Sequence, residues 1–574
     1  MATDTLETLP REFARKFVPK KLEIKGFADI EPLLSKLQQA DVSTKANLEQ
    51  WLLDGSELFA AIDEFGSRVF IRNTLDTTNQ EYKKAFLDFV ENFDPKLKPV
   101  AIELNRKFKA SPARDQLDAE RYKVFVRGVL NRIELYRDEN VTLEIEESKL
   151  EHEYDEIMGA TSVKFEGEDR TPQAMGKFQL ETDRNLRERA FRAISERRLL
   201  DADAVNVLYD KLVRLREKKA ENAGFPNYRD FAFRRRERFD YTPADCEAYH
   251  KAVDDVVLPA VKRIHTRRAK HLKLKALRPW DTAVDPDGMP PLKPFEDVEK
   301  LKEGCSRVFH KVDTELGDQF DMMRKLGLLD LANRKGKAPG GYQSTLSEVR
   351  LPFIFMNAVG VDGDVQTLLH EGGHAFHALA SRREPLLEYR GCPIEFCEVA
   401  SMSMELLGNP HLDEFYPAAD LKRARRDFYE GILEYLPWFA TIDAYQQWVY
   451  THKGHTIEQR MKAWLDVFRR FNPTIDWSGL EKFENLRWQQ QGHLFGAPFY
   501  YIEYAIAQLG ALQVWLNSRK DRKKALSQYK FALSLGGSKP LPELFKAAGA
   551  KFDFSAKTVK PLVEAVETEL AMLE

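Results

Sequence analysis

Apolar residues recur at three- and four-residue spacing through most of the chain, in stretches such as NLEQWLLDGSELFAAIDEFGSRVF (47–70) and YKKAFLDFVENF (82–93), and this spacing predicts helix. Long helical hairpins are therefore expected over about the first 135 residues. A β-leaning patch follows, because VTLEI (141–145) and SVKFEGEDRT (162–171) alternate apolar and polar positions, the second around a Gly-centred turn. From about 185 the text is charged and helical again, with NLRERAFRAISERRLL and then LYDKLVRLREKKAENAG ending at the helix-stopping Gly224. LRPWDTAVDPDGMPPLKPF (277–295) reads as a connecting loop, and RKGKAPGGY followed by LPFIFMN (351–357) as a Gly-rich turn leading to a short apolar strand.

Composition narrows the partners without naming one. Across 574 residues, 43% hydrophobic and 31% charged content with a net charge of −3 fit a soluble globular chain and give no bias toward nucleic acid. Arg234, Arg235, Arg236 and Arg238 form a basic run that reads as a solvated face or as intramolecular ion pairs, since no nucleic-acid motif accompanies it. The N-terminus lacks a secretory pattern and no apolar run reaches the roughly 20 residues that span a bilayer, so a cytoplasmic location is expected. The four cysteines, Cys246, Cys305, Cys392 and Cys397, form no CxxC pair, which argues against a disulfide framework or a structural zinc cluster. Cys397 is read as a small buried hydrophobe.

The most informative stretch is DVQTLLHEGGHAFHALAS (364–381). Asp364 can cap a helix on which His370 and His374 stand one turn apart, so both imidazoles face one ion, and Glu371 beside them can reach a metal-activated water. With 12 histidines in the chain, the chance expectation of HExxH is only about 0.02. A catalytic zinc takes three protein ligands. Ala380 occupies the position of a metzincin's third His, and His377 shares a straight helix with the first two, so His377 is read as an outer-layer or packing residue. Glu398, in IEFCEVASMSMELLG (394–408), is the better third ligand, because a carboxylate on an apolar helix is costly to bury unless it is paired or metal-bound. Glu405, seven residues on, either orients a ligand or makes a surface ion pair. Gly372 and Gly373 weaken the helix, which implies close approach of substrate or a neighbouring strand.

HEGGHAFH followed by EVASMSME resembles the thimet oligopeptidase and oligoendopeptidase F family of zinc peptidases, closest to the oligoendopeptidase F branch. The resemblance runs from about residue 120 to the C-terminus through NAGFPNYRDF, LRPWD, RKGKAPGGY and PFIFMNAVG, leaving 1–120 without a counterpart. It implies a mainly α fold of two helical lobes flanking a deep substrate channel, with a small β element near the HExxH site. One Zn2+ would be held by His370, His374 and Glu398, with Glu371 as base, and the substrates would be short unstructured peptides. Residues 1–185 would form an N-terminal helical lobe with a small β-containing segment, and 186–574 the zincin-type catalytic domain. It also implies hydrogen-bond donors to the reacting carbonyl in QQQGHLFGAPFYYIEY (489–504): His493 together with Tyr501, Tyr504 or Tyr500, which otherwise read as core aromatics. LPFIFMN is expected to offer an edge for an extended peptide, with Phe355 on it, and the Gly340-Gly341-Tyr342 turn either closes over that peptide or is purely structural. A zinc endopeptidase is therefore expected. The alternatives are a dipeptidyl carboxypeptidase or carboxypeptidase on the same scaffold, or an inactive peptide-binding protein.

Overall fold

The helical spacing seen in the sequence reappears as buried stripes. In the helix Val298–Val312 the positions Leu301, Cys305, Val308, Phe309 and Val312 are all buried, and the Asp297 carboxylate accepts the first free backbone N–H groups from Glu299 and Lys300. In this computed structural model the described residues are Leu6, 8–334, 336–338 and 340–573, so Lys335 and Pro339 of the RKGKAPGGY stretch lie outside them. The elements used below are α1 (Lys45–Leu75), β1 (Val163–Phe165), β2 (Glu168–Arg170), α2 (Val298–Val312), β3 (Leu329–Ala332), β4 (Tyr342–Leu346), β5 (Leu351–Ala358), α3 (Asp362–Ser381), α4 (Ile394–Gly408) and α5 (Tyr501–Lys520). The fold is mainly α, with two small sheets. Among the described residues no helix is long and apolar enough to cross a membrane.

The chain divides into two units, each discontinuous in sequence. The first comprises Met1–Tyr136, Lys293–Leu421 and Gly510–Phe552. Its N-terminal helices, including Phe27–Gln39 and α1, close around Ile30, Leu33, Leu48, Leu52 and Phe108. Its sheet runs β3-β5-β4, with β5 parallel to β3 and antiparallel to β4. The strand expected at LPFIFMN is present, but it is the central strand. Both of its edges are already hydrogen-bonded, so it offers no free edge to a peptide, and its unbroken apolar run is the signature of a strand covered on both faces.

The second unit comprises Arg137–Leu292, Lys422–Leu509 and Asp553–Glu574. The expected hairpin is there: β1 pairs antiparallel with β2 across Glu166 and Gly167, both at positive φ (50° and 84°), the turn geometry that matches strand twist. VTLEI is not a strand. It lies within the helix Asp138–Gly159, whose buried face of Asn140, Glu147, Leu150 and Tyr154 has helical spacing and outweighs five residues of β-favouring composition. Glu147 is buried against Arg216 (Nε to Oε1 2.6 Å) and also accepts from the Lys219 ammonium. Burial would raise its carboxyl, but the two cations outweigh that and hold it down at about 2.

Two of the four arginines of the basic run make intramolecular ion pairs: Arg236 and Arg238 reach Glu503 at 3.2 and 2.7 Å, while Arg235 is exposed.

Glu147→Ala strands the Lys219 ammonium in the interior, and we expect a loss of about 3–5 kcal/mol. Urea unfolding followed by circular dichroism checks this, and an unshifted midpoint would show that the buried pair carries no stability.

Candidate metal centre

The chain reverses between β5 and α3 through Gly360 (φ 92°). The Asp364 carboxylate fixes that reversal by accepting N–H groups of Val359, Gly360 and Val361 at 2.8, 2.8 and 3.0 Å. The helix begins at Asp362, two residues before the cap expected from the sequence, so Asp364 acts from within the first turn. Its charge there also suits the helix N-terminus.

Two turns on, His370 and His374 present imidazoles whose centroids are 4.8 Å apart. Glu398 reaches them from α4: its Oε2 lies 3.3 Å from His370 Nε2 and 3.5 Å from His374 Nε2. Ligands held at about 2.0–2.2 Å around a tetrahedral ion sit about 3.3–3.5 Å apart, so the donor spacing fits zinc. On its other nitrogen, His370 Nδ1 meets Glu405 Oε1 at 2.6 Å, the carboxylate–imidazole contact that orients a metal-binding histidine. Ser401 Oγ donates to Glu398 Oε2 at 3.0 Å and so fixes the third donor. Glu371 is only 6% exposed, and its Oε2 has no hydrogen-bond partner among the described residues. Burial pushes its carboxyl up, against the pull of the two imidazoles. At Glu398 burial works the same way, but His374 and His370 outweigh it and hold the carboxyl well below the usual range. The same carboxylate, with Glu405, raises His370 despite its burial. A metal ion binds imidazole in its neutral form, so it would displace protons from this cluster.

The two helix glycines have a different cause from the one expected. A Cβ on Gly373 would fall 2.5 Å from Ser401 Cα and 2.7 Å from the Ala400 carbonyl oxygen, and one on Gly372 would fall 2.5 Å from the Phe309 ring. The close neighbours are helices α4 and α2, not substrate or a strand. Tyr529 donates to the same Ala400 carbonyl at 2.8 Å, which fixes the crossing from behind.

The remaining candidates fall into separate groups. Phe355 is fully buried, stacked on Tyr342 at 4.7 Å, with Lys337 Nζ 4.3 Å from its centroid. Tyr342 also shares a hydrogen bond with Thr74 of α1 at 2.6 Å, and Asn357 holds the Gly340 carbonyl at 2.9 Å. Gly341 passes over β5, where a Cβ would sit 3.4 Å from the Phe355 carbonyl oxygen. These contacts tie the turn to β5 and α1, with Gly340 and Gly341 themselves exposed. His377 is buried against Phe396, with the rings 6.0 Å apart.

In the second unit, His493 is ringed by Tyr500, Tyr501 and Tyr504 at centroid distances of 5.3, 5.0 and 5.9 Å. Gln491 Nε2 holds His493 Nδ1 at 2.9 Å, and burial pushes Tyr501 up to about 12. Sequence reasoning missed the frame beneath this group. Phe499 takes φ 64°, its N–H donates to Gln446 Oε1 at 2.6 Å, and its carbonyl accepts from Arg238. The basic run was the only signal of that frame.

The profile of Peptidase family M3 matches residues 178–564, and that of the Peptidase M3 N-terminal domain matches 25–136. The chain belongs to peptidase family M3. The N-terminal match supplies a counterpart for most of the first 120 residues, where the sequence resemblance offered none. Similar M3 relatives include the Oligoendopeptidase F homolog of Borreliella burgdorferi, 24% identical over 50% of this chain and 49% of that protein. Another is Oligopeptidase PepF of Bacillus subtilis, 24% identical over 51% of this chain and 43% of that one. The chain thus aligns with about half the length of these curated relatives. Among solved structures, PZ peptidase A with an inhibitor superposes with a TM-score of 0.91 at 29% identity, covering 97% of this chain and 99% of that one.

Gly373→Ala is expected to destabilise the first unit by at least about 1–3 kcal/mol, because backbone blocks the new methyl. Gly363→Ala in the same helix meets nothing within 4 Å and serves as the neutral control. Comparing the two melting temperatures checks the crossing, and equal values would sink it.

Proposed function

We propose that the protein is a zinc-dependent endopeptidase that hydrolyses internal bonds of short unstructured peptides, with residues 186–574 as its catalytic region. The observation that carries this reading is the spacing of the three donors, 3.3 and 3.5 Å from Glu398 Oε2, beside a buried Glu371 whose Oε2 has no hydrogen-bond partner among the described residues. His370, His374 and Glu398 would hold the ion. Zinc in such a site supplies a Lewis acid and acidifies a water. Glu371 takes the proton from the attacking water and passes it to the leaving amine nitrogen, a shuttle favoured by a carboxyl whose affinity for protons burial has raised. Glu405 keeps the His370 ring in its ligating orientation. His493, with Tyr504 or Tyr501, donates to the developing oxyanion. The names of the relatives, oligoendopeptidase and oligopeptidase, support short peptides as substrates, and a cytoplasmic location belongs to the same reading.

The direct test is cleavage of internally quenched peptides blocked at both ends, with and without a chelator. Chelator-sensitive internal cleavage supports the reading, and cleavage only of peptides with a free C-terminus would make the protein a carboxypeptidase-type enzyme instead.

Two variants separate base from ligand. Glu371→Gln is expected to lower kcat by about 10²–10⁴ with zinc content unchanged, whereas Glu398→Ala should lose zinc itself. Metal analysis beside kinetics distinguishes them, and near-normal turnover in Glu371→Gln would reject the assigned base.

His493→Ala and Tyr504→Phe should each lower kcat by about 10²–10³ with little change in KM or zinc content. A fall in melting temperature without a fall in kcat would return them to the aromatic core, and an unchanged kcat in Tyr504→Phe alone would transfer the role to Tyr501 or Tyr500.

A further inference from the structure

The helix pair that carries the first centre brings together a second set of donors. A ring nitrogen of His377 and the sulfurs of Cys392 and Cys397 all lie within 4.8 Å of one another. His377 belongs to α3, one turn beyond His374. Cys397 is in the first turns of α4, next to Glu398, and Cys392 lies in the loop before it. The cysteine spacing gives no sign of a site, because the third donor arrives from another helix.

His377 supplies an independent observation. It is 4% exposed, and its Nε2 has no hydrogen-bond partner among the described residues. Leaving such an atom unsatisfied costs about 1–3 kcal/mol, and a ring nitrogen of the same imidazole lies within 4.8 Å of both sulfurs. Cys392 and Cys397 are half-buried residues, in contrast to the buried Cys246 and Cys305.

We propose that His377, Cys392 and Cys397 form a second metal site for a thiophilic divalent ion of the zinc or cadmium class. Two sulfurs and one imidazole are the donor set that selects such ions over magnesium or calcium. Metal–sulfur bonds of about 2.3 Å and metal–nitrogen bonds of about 2.0 Å place the donors about 3.5–3.8 Å apart, so closing from 4.8 Å needs shifts of about 1 Å. On binding, each thiol releases its proton to solvent, and the two thiolates cancel the ion's double charge. The centre is then neutral, which suits its partly buried place. Occupancy ties Cys397, and with it the neighbouring Glu398, to the helix that bears His374.

The test titrates the metal-free, fully reduced, full-length protein with Cd2+ and follows sulfur-to-cadmium charge-transfer absorption in the near ultraviolet. The expected result is a band that saturates with one sulfur-bound ion per chain and is lost in both Cys392→Ser and Cys397→Ser. No band in the wild-type protein at saturating Cd2+ overturns the proposal, as does a band that persists undiminished in both variants, which would belong to Cys246 or Cys305. A second measurement needs no variant: Cd2+ should protect Cys392 and Cys397 of the wild-type chain from alkylation, and unchanged alkylation of both also overturns it. The centre at His370, His374 and Glu398 contains no sulfur and gives no such band, so failure here leaves the proposed function standing.

Discussion

The backbone contact between α3 and α4 at Gly373 is the constraint on which the first centre depends. With no side chain at that position, Ala400 and Ser401 approach the helix backbone itself, closer than any Cβ would allow. Glu398 stands one turn earlier on α4, and at this separation its carboxylate falls between the two imidazoles. Ordinary helix packing keeps axes 8–10 Å apart according to the side chains at the contact. A larger residue would withdraw the third donor while leaving HExxH intact in sequence. The glycines weaken the helix by about 0.5–1 kcal/mol each relative to alanine, and the geometry they permit is what that loss secures.

The electrostatics follow from this crossing. Glu398 is almost fully buried, and an isolated carboxylate there would be prohibitively unfavourable. It is instead surrounded by His370, His374 and the Ser401 hydroxyl, while Glu405 fixes the far side of His370. Glu371 differs in kind. It is equally enclosed, yet its Oε2 has no hydrogen-bond partner among the described residues, and here burial outweighs the two imidazoles and raises the carboxyl, whereas at Glu398 the imidazoles outweigh burial. Two glutamates on facing helices thus acquire opposite proton affinities from their surroundings, the separation expected between a ligand and a proton carrier.

What the sequence disclosed were features of short range. The four-residue spacing of His370 and His374, the carboxylate of Glu398 on an apolar helix, the hairpin at 163–170 and the strand at LPFIFMN are each contained within a short stretch of chain, so local periodicity and composition expose them. What it hid depends on neighbours distant in the chain. The central place of β5 follows from β3 and β4 flanking it, and VTLEI is helical because its register continues into a long buried face. The glycines' true neighbours come from α2 and α4, and the partner of Arg236 and Arg238 is Glu503, more than 260 residues away. The roles of His493 and its tyrosines rest on family likeness, since aromatic residues on a helix look alike in sequence whether they pack or donate.

That last group shows how a fold can aim side chains that sequence alone leaves ambiguous. Phe499 sits at a positive φ that a bulky residue adopts only when its surroundings impose it. Gln446 holds its N–H, Arg238 its carbonyl and Arg236 the carbonyl of Pro498, while both arginines also grip Glu503. Glu503 lies between Tyr501 and Tyr504, so the clamp that sets the turn also sets the first turn of α5. Rotation of that turn would carry the tyrosine rings out of their present places around His493. Preorganised donors act on a transition state only if they need not move to meet it. A strained turn held by ion pairs to Glu503 would keep the proposed donors in place, which gives Arg236 and Arg238 a structural use beside these tyrosines.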